Sequence, residues 1–185
     1  MLTADITNTN DFEAIKVLLE IAKIYGFTSA KISPNHKLLD MIFNYAKTMD
    51  ISVYAVCDNL ETIDKIAQYT DTCEIQDTNL LRYARDKFKN IIVNVNGLNV
   101  ETVEDIYFTY GPQCFVVESD RLSLIKRLRN IGSVKICYKN ESNEILHHLA
   151  LAFNVDGLEK VINLKNANTI PSYVGRIDYT RKSLG

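Results

Sequence analysis

The sequence lacks the features that mark several large classes of protein. Its 185 residues hold 21 Lys and Arg against 23 Asp and Glu, so there is no basic excess of the kind that nucleic-acid-binding proteins show. No apolar run approaches the ~18 residues that a membrane-spanning helix requires. The first residues have neither the basic nor the apolar part of a secretory signal. These absences predict a cytoplasmic protein with no nucleic-acid partner and no membrane association.

Glycine, proline and cysteine are scarce as well. With 7 glycines and 3 prolines there is no linker-like stretch, so we expect residues 1–185 to form a single domain. No Gly-x-Gly occurs, which argues against a dinucleotide-binding sheet, and the Gly-x-Ser-x-Gly nucleophile motif is absent. The four cysteines are widely spaced with no Cys-x-x-Cys, which predicts buried, reduced thiols.

The dominant pattern is an alternation of short β-branched runs with segments of helical periodicity. The predicted strands are Leu2–Thr7, Ser29–Ser33, Ser52–Cys57, Thr72–Gln76, Ile91–Asn96, Gln113–Glu118, Val134–Lys139 and Leu158–Leu164. The predicted helices are Asp11–Tyr25, Asn35–Thr48, Leu60–Tyr69, Asn79–Phe88, Val100–Tyr110, Arg121–Asn130 and Asn143–Phe153, followed by a polar tail with room for one short helix.

Strict strand–helix alternation predicts an α/β protein with a parallel sheet covered by helices. Eight such units fit a (β/α)₈ TIM barrel, whose usual length is ~250 residues, so we expect a compact barrel with short loops. An open doubly wound sheet is the rival architecture, but the sequence lacks the glycine cluster expected for it.

In a barrel, alternate side chains of each strand point into the lumen. In five strands, one set of alternate residues is clearly apolar and is expected to face the helices, so the other, mostly polar set should face inward. The inward residues are Thr3, Asp5, Thr7, Lys31, Ser33, Glu74, Gln76, Asn94, Asn96, Glu159, Val161 and Asn163. A buried lysine needs a counter-charge, so Lys31 should pair with Asp5, Glu74 or Glu159. The cluster is interpreted in two ways: as a network that holds the barrel together, or as a polar site at the carboxyl ends of the strands.

Eight short segments, in chain order, carry a resemblance to a known family. They are Ala4–Asn10, Ala30–Ser33, Asp58–Asp64, Glu74–Leu81, Asn96–Ile106, Cys137–Ser142, Leu158–Leu164 and Arg181–Leu184. Together they resemble the catalytic barrel of the sialic acid synthases over nearly the whole chain. Those enzymes condense phosphoenolpyruvate with an amino sugar, using a divalent metal, to make N-acetylneuraminate and related nonulosonic acids. The resemblance implies a role in surface-carbohydrate biosynthesis.

The resemblance also implies roles for individual residues. The catalytic positions would be Asp5, Lys31 and Glu159, and a Mg²⁺ or Mn²⁺ ion would have Glu141 as a ligand. The implied substrate-binding positions are Asn8, Glu74, Gln76, Asp77, Asn79, Asn96, Gly97 and Tyr138. The implied partners are a small anionic or sugar ligand and a second copy of the chain in a homodimer.

Three departures from the family pattern bear on activity. The two metal-binding histidines of the family fall on Glu141 and Val161, and its strand-4 lysine falls on Glu74, which reverses the charge facing an anionic substrate. The antifreeze-like domain that follows the barrel in the family is not in this sequence. We therefore expect the condensation activity to be weak or lost. The alternative is a non-catalytic TIM barrel that binds a small polar ligand or a partner.

Overall fold

The computed structural model of the chain describes residues 1–118, 122–131, 135–139 and 155–185. Its strands are β1 Leu2–Asp5, β2 Ser29–Ile32, β3 Ser52–Cys57, β4 Thr72–Ile75, β5 Asn90–Asn94, β6 Cys114–Glu118, β7 Lys135–Lys139 and β8 Gly157–Val161. Each strand pairs in parallel with its neighbours in chain order, and β1 pairs with β8 to close the barrel. The predicted (β/α)₈ architecture is confirmed.

Helices cover the outside of the barrel. They are α1 Phe12–Ile24, α2 Leu39–Thr48, α3 Leu60–Ile66, α4 Leu81–Lys87, α5 Val100–Tyr110, α6 Leu122–Leu128 and α7 Ile170–Leu184, with short 3₁₀ turns at Thr78–Leu80 and Ala167–Thr169. The predicted helix Asn143–Phe153 lies outside the described residues. The polar tail, predicted to have room for one short helix, forms the longer 15-residue helix α7, which buries Ile170 and Ile177.

Side-chain caps and one glycine fix where several helices begin and end. The Asp11 carboxylate accepts the N–H of Ala14 at 2.9 Å and begins α1. Asn59 and Thr62 form a reciprocal capping box at the start of α3. Gly111 ends α5 in the left-handed conformation, at φ 55°, which residues with a Cβ rarely adopt. These local signals keep the connections short.

Two predicted boundaries are corrected by local hydrogen bonds. β1 ends at Asp5 and not at Thr7, because the Asp5 carboxylate accepts the Thr7 N–H at 3.0 Å and turns the chain. α2 begins at Leu39 and not at Asn35. In the intervening turn, His36 Nδ1 accepts the Leu38 N–H at 2.9 Å, so Nε2 carries the proton and donates to the Asn10 carbonyl at 2.7 Å.

The molecule has two separate apolar regions. The larger one lies between the strands and the helices and includes the fully buried Ile32, Ile75 and Phe115. The smaller one comprises Tyr54, Ile92, Cys114 and Val116, which lie on β3, β5 and β6. The residues next to each of these four along the strands point toward the helices. The four side chains therefore point inward and fill one side of the lumen. The other side of the lumen is left to the polar residues of β1, β2, β4 and β8.

Candidate functional site

Four charged side chains meet in the lumen and are almost fully buried. The Lys31 ammonium lies 2.6 Å from Glu159 Oε1, 3.1 Å from Glu74 Oε2 and 3.8 Å from Asp5 Oδ2. The exposed fraction is 2% for Lys31, 3% for Asp5, 0% for Glu74 and 1% for Glu159. We call Asp5, Lys31, Glu74 and Glu159 the lumen quartet. The pairing expected for Lys31 is thus observed with all three carboxylates.

The strand register explains why these residues meet. In the ladders, Asp5 of β1 lies beside Lys31 of β2, and Thr3 of β1 lies beside Glu159 of β8. Glu74 is on β4, which is separated from β2 by β3, so the long lysine side chain reaches across the lumen to it. Local sequence alone places each residue on the inner face, and barrel closure brings them together.

The charges in the lumen quartet do not balance. One ammonium faces three carboxylates, and all four side chains are almost closed off from bulk solvent, so their charges are weakly screened. Burial alone would lower the pKa of Lys31, but the negative charges of Glu74, Glu159 and Asp5 together raise that pKa above its usual value. Burial raises the pKa of Glu159 to about 7, against the lowering effect of Lys31. Lys31 is therefore charged at neutral pH, and Glu159 is close to its midpoint.

Hydrogen bonding within the quartet is uneven. Asp5 Oδ1 accepts from the Thr7 N–H at 3.0 Å and from the Thr7 hydroxyl at 2.6 Å. Glu74 is different, because its Oε2 accepts from Lys31 while its buried Oε1 has no hydrogen-bond partner among the residues that the structure describes. A buried carboxylate oxygen without a partner carries most of its desolvation penalty uncompensated. Burying the three carboxylates therefore carries a large desolvation penalty, and the positive charge of Lys31 offsets part of it.

This geometry limits the chemistry that the quartet can perform. A lysine must lose its proton to act as a nucleophile or to form a Schiff base. Lys31 is held in the charged form by three carboxylates and has 2% of its side chain exposed. It can neutralise negative charge or donate hydrogen bonds, but it is not poised for covalent catalysis. The group best suited to moving a proton near neutral pH is Glu159.

The quartet does not fit a divalent metal. Within the described parts of the chain, no group of three His, Cys, Asp or Glu side chains has the arrangement of a metal site. The Lys31 ammonium itself occupies the space between the carboxylates, and Val161 offers no ligand atom. Glu141 lies outside the described residues. No chemical step is therefore assigned to a metal ion here.

The rim at the carboxyl ends of the strands carries most of the predicted substrate-binding residues. Asn8, Gln76, Asp77, Asn79, Asn96 and Gly97 are all exposed there. Their observed hydrogen bonds shape the loops. Asp77 Oδ1 accepts from the Asn79 N–H at 2.9 Å and from its side-chain amide at 3.0 Å, and Asn94 Oδ1 accepts from the Asn96 N–H at 2.9 Å. Tyr138 is on β7, in register with Leu158 of β8.

One polar pair in the lumen was not predicted. The Asn94 amide donates to Glu118 Oε1 at 3.1 Å, joining β5 to β6 near their carboxyl ends. The alternation of polar and apolar residues in β5 predicted an inward Asn94. In β6, every residue from Cys114 to Val117 is apolar, so the alternation gives no prediction there. Glu118 alone breaks that pattern, at the last position of the strand, and this was the one signal available in the sequence.

The comparisons with known proteins agree with the barrel. The sequence matches no protein-family model and no curated protein sequence. The fold is similar to that of phospho-2-dehydro-3-deoxyheptonate aldolase (DAHP synthase) from Thermotoga maritima, with a TM-score of 0.81 at 12% identity over 100% of this chain and 70% of that one. This chain shares its barrel.

Two further structures with the same architecture are proteins named for spore coat polysaccharide biosynthesis. The putative spore coat polysaccharide biosynthesis protein E of Chromobacterium violaceum gives a TM-score of 0.81 at 13% identity, over 100% of this chain and 76% of that one. A spore coat polysaccharide biosynthesis protein of Bacillus subtilis gives 0.81 at 13% identity, over 100% and 68%. At these identities the similarity establishes the fold and leaves the reaction open.

In the described parts of the chain, no helix is long and apolar enough to cross a membrane.

Proposed function

We propose that this chain is a reduced barrel of the phosphoenolpyruvate-dependent sialic acid synthase type, serving surface-carbohydrate biosynthesis, with condensation activity that is weak or lost. Two things support the proposal: the eight-segment resemblance to the sialic acid synthases, and the structural similarity to proteins named for polysaccharide biosynthesis. The reaction in question would join phosphoenolpyruvate to an amino sugar, with Mg²⁺ or Mn²⁺ as the expected cofactor. A homodimer is part of the same proposal.

The observation that carries the proposal is the convergence of Asp5, Lys31 and Glu159 in one buried cluster. These are the three positions to which the resemblance assigns catalysis. Glu74 joins them where the family has a second lysine, so one cation faces three carboxylates. Bringing phosphoenolpyruvate, an anion, into that field is unfavourable by Coulomb's law. This balance of charge is the reason to expect weak binding and little turnover.

The burial of Lys31 favours a second candidate function. With 2% of its side chain exposed, Lys31 is closed off from solvent as the structure stands. A non-catalytic barrel, in which the lumen quartet only joins β1, β2, β4 and β8, would look the same. Such a protein would bind a small polar ligand or a partner through other surfaces.

Calorimetric titration of phosphoenolpyruvate, with and without Mn²⁺, tests the proposal. We expect weak saturable binding of phosphoenolpyruvate. Any strengthening by Mn²⁺ would come from Glu141, the position that the resemblance assigns to the metal, and not from the lumen quartet, which does not fit a divalent ion. A Glu74→Gln variant removes one negative charge from the quartet without changing its shape, so it should bind phosphoenolpyruvate more tightly. Glu61→Gln is the matched control, because it removes an exposed carboxylate on α3 and leaves the lumen untouched.

The outcomes separate the two candidates. Binding that depends on Mn²⁺ and tightens in Glu74→Gln but not in Glu61→Gln supports the synthase-type function, and release of phosphate with added amino sugars would then be measured. If neither the native chain nor the Glu74→Gln variant takes up phosphoenolpyruvate under either condition, the synthase function is overturned. The non-catalytic barrel then remains.

A further inference from the structure

A cavity of about 310 Å³ opens at the N-terminal end of the barrel, opposite the rim that carries the predicted substrate-binding residues. Its inner part is formed by lumen-facing side chains. Thr3 and Ser29 line one side, while Ile92, Cys114 and Val116 line the other. All five are buried, yet they border open space. The size is at the lower end of the range typical of small-molecule sites.

The two sides of this cavity differ in chemistry. On the β1–β2 side, the Thr3 and Ser29 hydroxyls lie 2.7 Å apart and share one hydrogen bond, so each retains capacity to bond a ligand. Ser52, Thr72, Asn90 and Gln113 add hydroxyl and amide groups around the mouth. The β5–β6 side is apolar, and Tyr54 contributes an aromatic ring next to it. Among the described lining residues, Asp71 at the outer edge has a charged side chain, and Met1 carries the N-terminal ammonium, which donates to the Asp156 carbonyl at 3.3 Å.

The cavity continues outward across its rim. A second cavity, of about 470 Å³, shares Ser52, Tyr54, Asp71 and Thr72 with the first and runs between α2 and residues 68–72, which follow α3. The stacked rings of Phe43 and Tyr69, with centroids 5.2 Å apart, are part of its lining. A ligand seated in the lumen therefore has an open path along which a substituent can extend to the surface.

We infer that the N-terminal cavity is a binding site for a neutral sugar or polyol of monosaccharide size. Such a molecule presents hydroxyl groups that match Thr3, Ser29 and the polar mouth. It also presents C–H groups that suit the apolar β5–β6 side. The part of the buried wall that the structure describes bears neutral groups, so a charged ligand would lose its hydration there without a counter-charge from those residues, which is unfavourable. None of the four quartet residues is among the described residues that line this cavity, although Thr3 lies beside Glu159 in the β1–β8 ladder. This inference does not depend on the proposed function.

Saturation-transfer NMR and calorimetry with glucose, N-acetylglucosamine, ribose and myo-inositol test the inference on the whole chain. We expect at least one of these probes to bind saturably at millimolar concentration, and glucose 6-phosphate to bind no better than glucose. The double variant Thr3→Val/Ser29→Ala removes both hydroxyls with little change in shape. Because it replaces both partners of one hydrogen bond, it should fold normally. It should weaken binding about tenfold.

A second variant and a control keep the test decisive. Ser52→Phe places a bulky ring at the exposed mouth, where folding tolerates it, and should also abolish binding. Thr102→Val removes a hydroxyl on α5, at the other end of the barrel, and should leave binding unchanged. The inference is overturned if none of the neutral probes binds saturably, or if binding survives both cavity variants. The probes contain no phosphoenolpyruvate and no metal, so failure of the synthase proposal would leave this result unaffected.

Discussion

At the scale of single residues, Lys31 decides whether the lumen is stable. Replacing it with Met removes the ammonium that, among the described residues, faces all three buried carboxylates. Breaking a buried ion pair by removing one partner typically costs about 3–5 kcal/mol. We expect Lys31→Met to lower the free energy of unfolding by that amount at pH 7, measured by urea denaturation with circular dichroism.

Two companion variants test the cause of that loss. Lys16→Met removes the exposed Lys16–Glu13 pair, whose atoms lie 2.8 Å apart, and should change stability by less than about 1 kcal/mol. Adding Glu159→Gln to Lys31→Met should recover part of the loss, because one buried charge fewer is left unpaired. Equal losses in Lys31→Met and Lys16→Met would contradict the role given to the quartet.

Glu159 should make stability depend on pH. Burial raises its pKa from 4.5 to about 7, so between these values the folded protein holds a proton that the unfolded chain releases. This contribution is complete below about pH 4.5 and is lost as the pH rises through about 7. Its full size is on the order of 3 kcal/mol. Unfolding free energies measured from pH 5 to 8 should therefore fall with pH in the native chain.

Glu159→Gln should remove most of that slope. The amide keeps the shape of the side chain and cannot ionise. Between pH 8 and pH 5 the native chain should therefore gain stability, while the Glu159→Gln variant should gain little. Glu61→Gln, which removes an exposed carboxylate, should keep the native slope. A native chain with flat stability over this range would show that Glu159 ionises as an ordinary carboxyl group.

At the scale of elements, two glycines should respond in opposite ways to the same substitution. Gly111 ends α5 at φ 55°, where a Cβ is strained, so Gly111→Ala should destabilise by about 1 kcal/mol. Gly175 lies inside α7, and a Cβ built on it meets nothing within 4 Å. Gly175→Ala should stabilise by about 0.5–1 kcal/mol. Thermal unfolding of both variants measures the contrast, and shifts of the same sign would contradict it.

The strands show how far the sequence could be read. In β1, β2, β4, β5 and β8 one parity is polar, so the inward position of Lys31 and its contact with Glu74 and Glu159 could be predicted. In β3 and β6 both parities are apolar, and periodicity cannot choose between them. The lumen cluster with Tyr54 and Cys114 therefore emerged only from the register.

The rim and the N-terminal cavity were beyond prediction for different physical reasons. The resemblance implies that Asp77 and Asn79 bind substrate, but Asp and Asn side chains also stabilise turns. In the loop after β4, the Asp77 carboxylate accepts the N–H and the side-chain amide of Asn79 and holds such a turn. The cavity depends on how side-chain volumes from several strands add up around the lumen. Thr3 and Ser29 are short, so space remains at that end, and no single segment of the sequence contains this information.

At the scale of the whole molecule, the strands of the barrel separate the lumen from the layer between strands and helices. Cysteines lie on both sides, so their reactivity can compare the two environments. Cys57 and Cys73 belong to the apolar region between strands and helices, and both are closed off from solvent. A side-chain hydrogen bond with Cys57, and then burial, also raise the pKa of the Cys73 thiol. Cys114 is on the other side of the wall and lines the cavity that opens at the N-terminal end.

This difference predicts a sequence of thiol reactions. Because the thiolate must be reached by the reagent, iodoacetamide should modify Cys114 in the native protein, while Cys57 and Cys73 should react only after unfolding. Mass spectrometry of peptides from native and urea-treated samples measures each rate. A neutral sugar bound in the N-terminal cavity should slow the reaction of Cys114 and leave the other two unchanged. Equal native rates for the three thiols would mean that the cavity does not give small molecules access to the lumen.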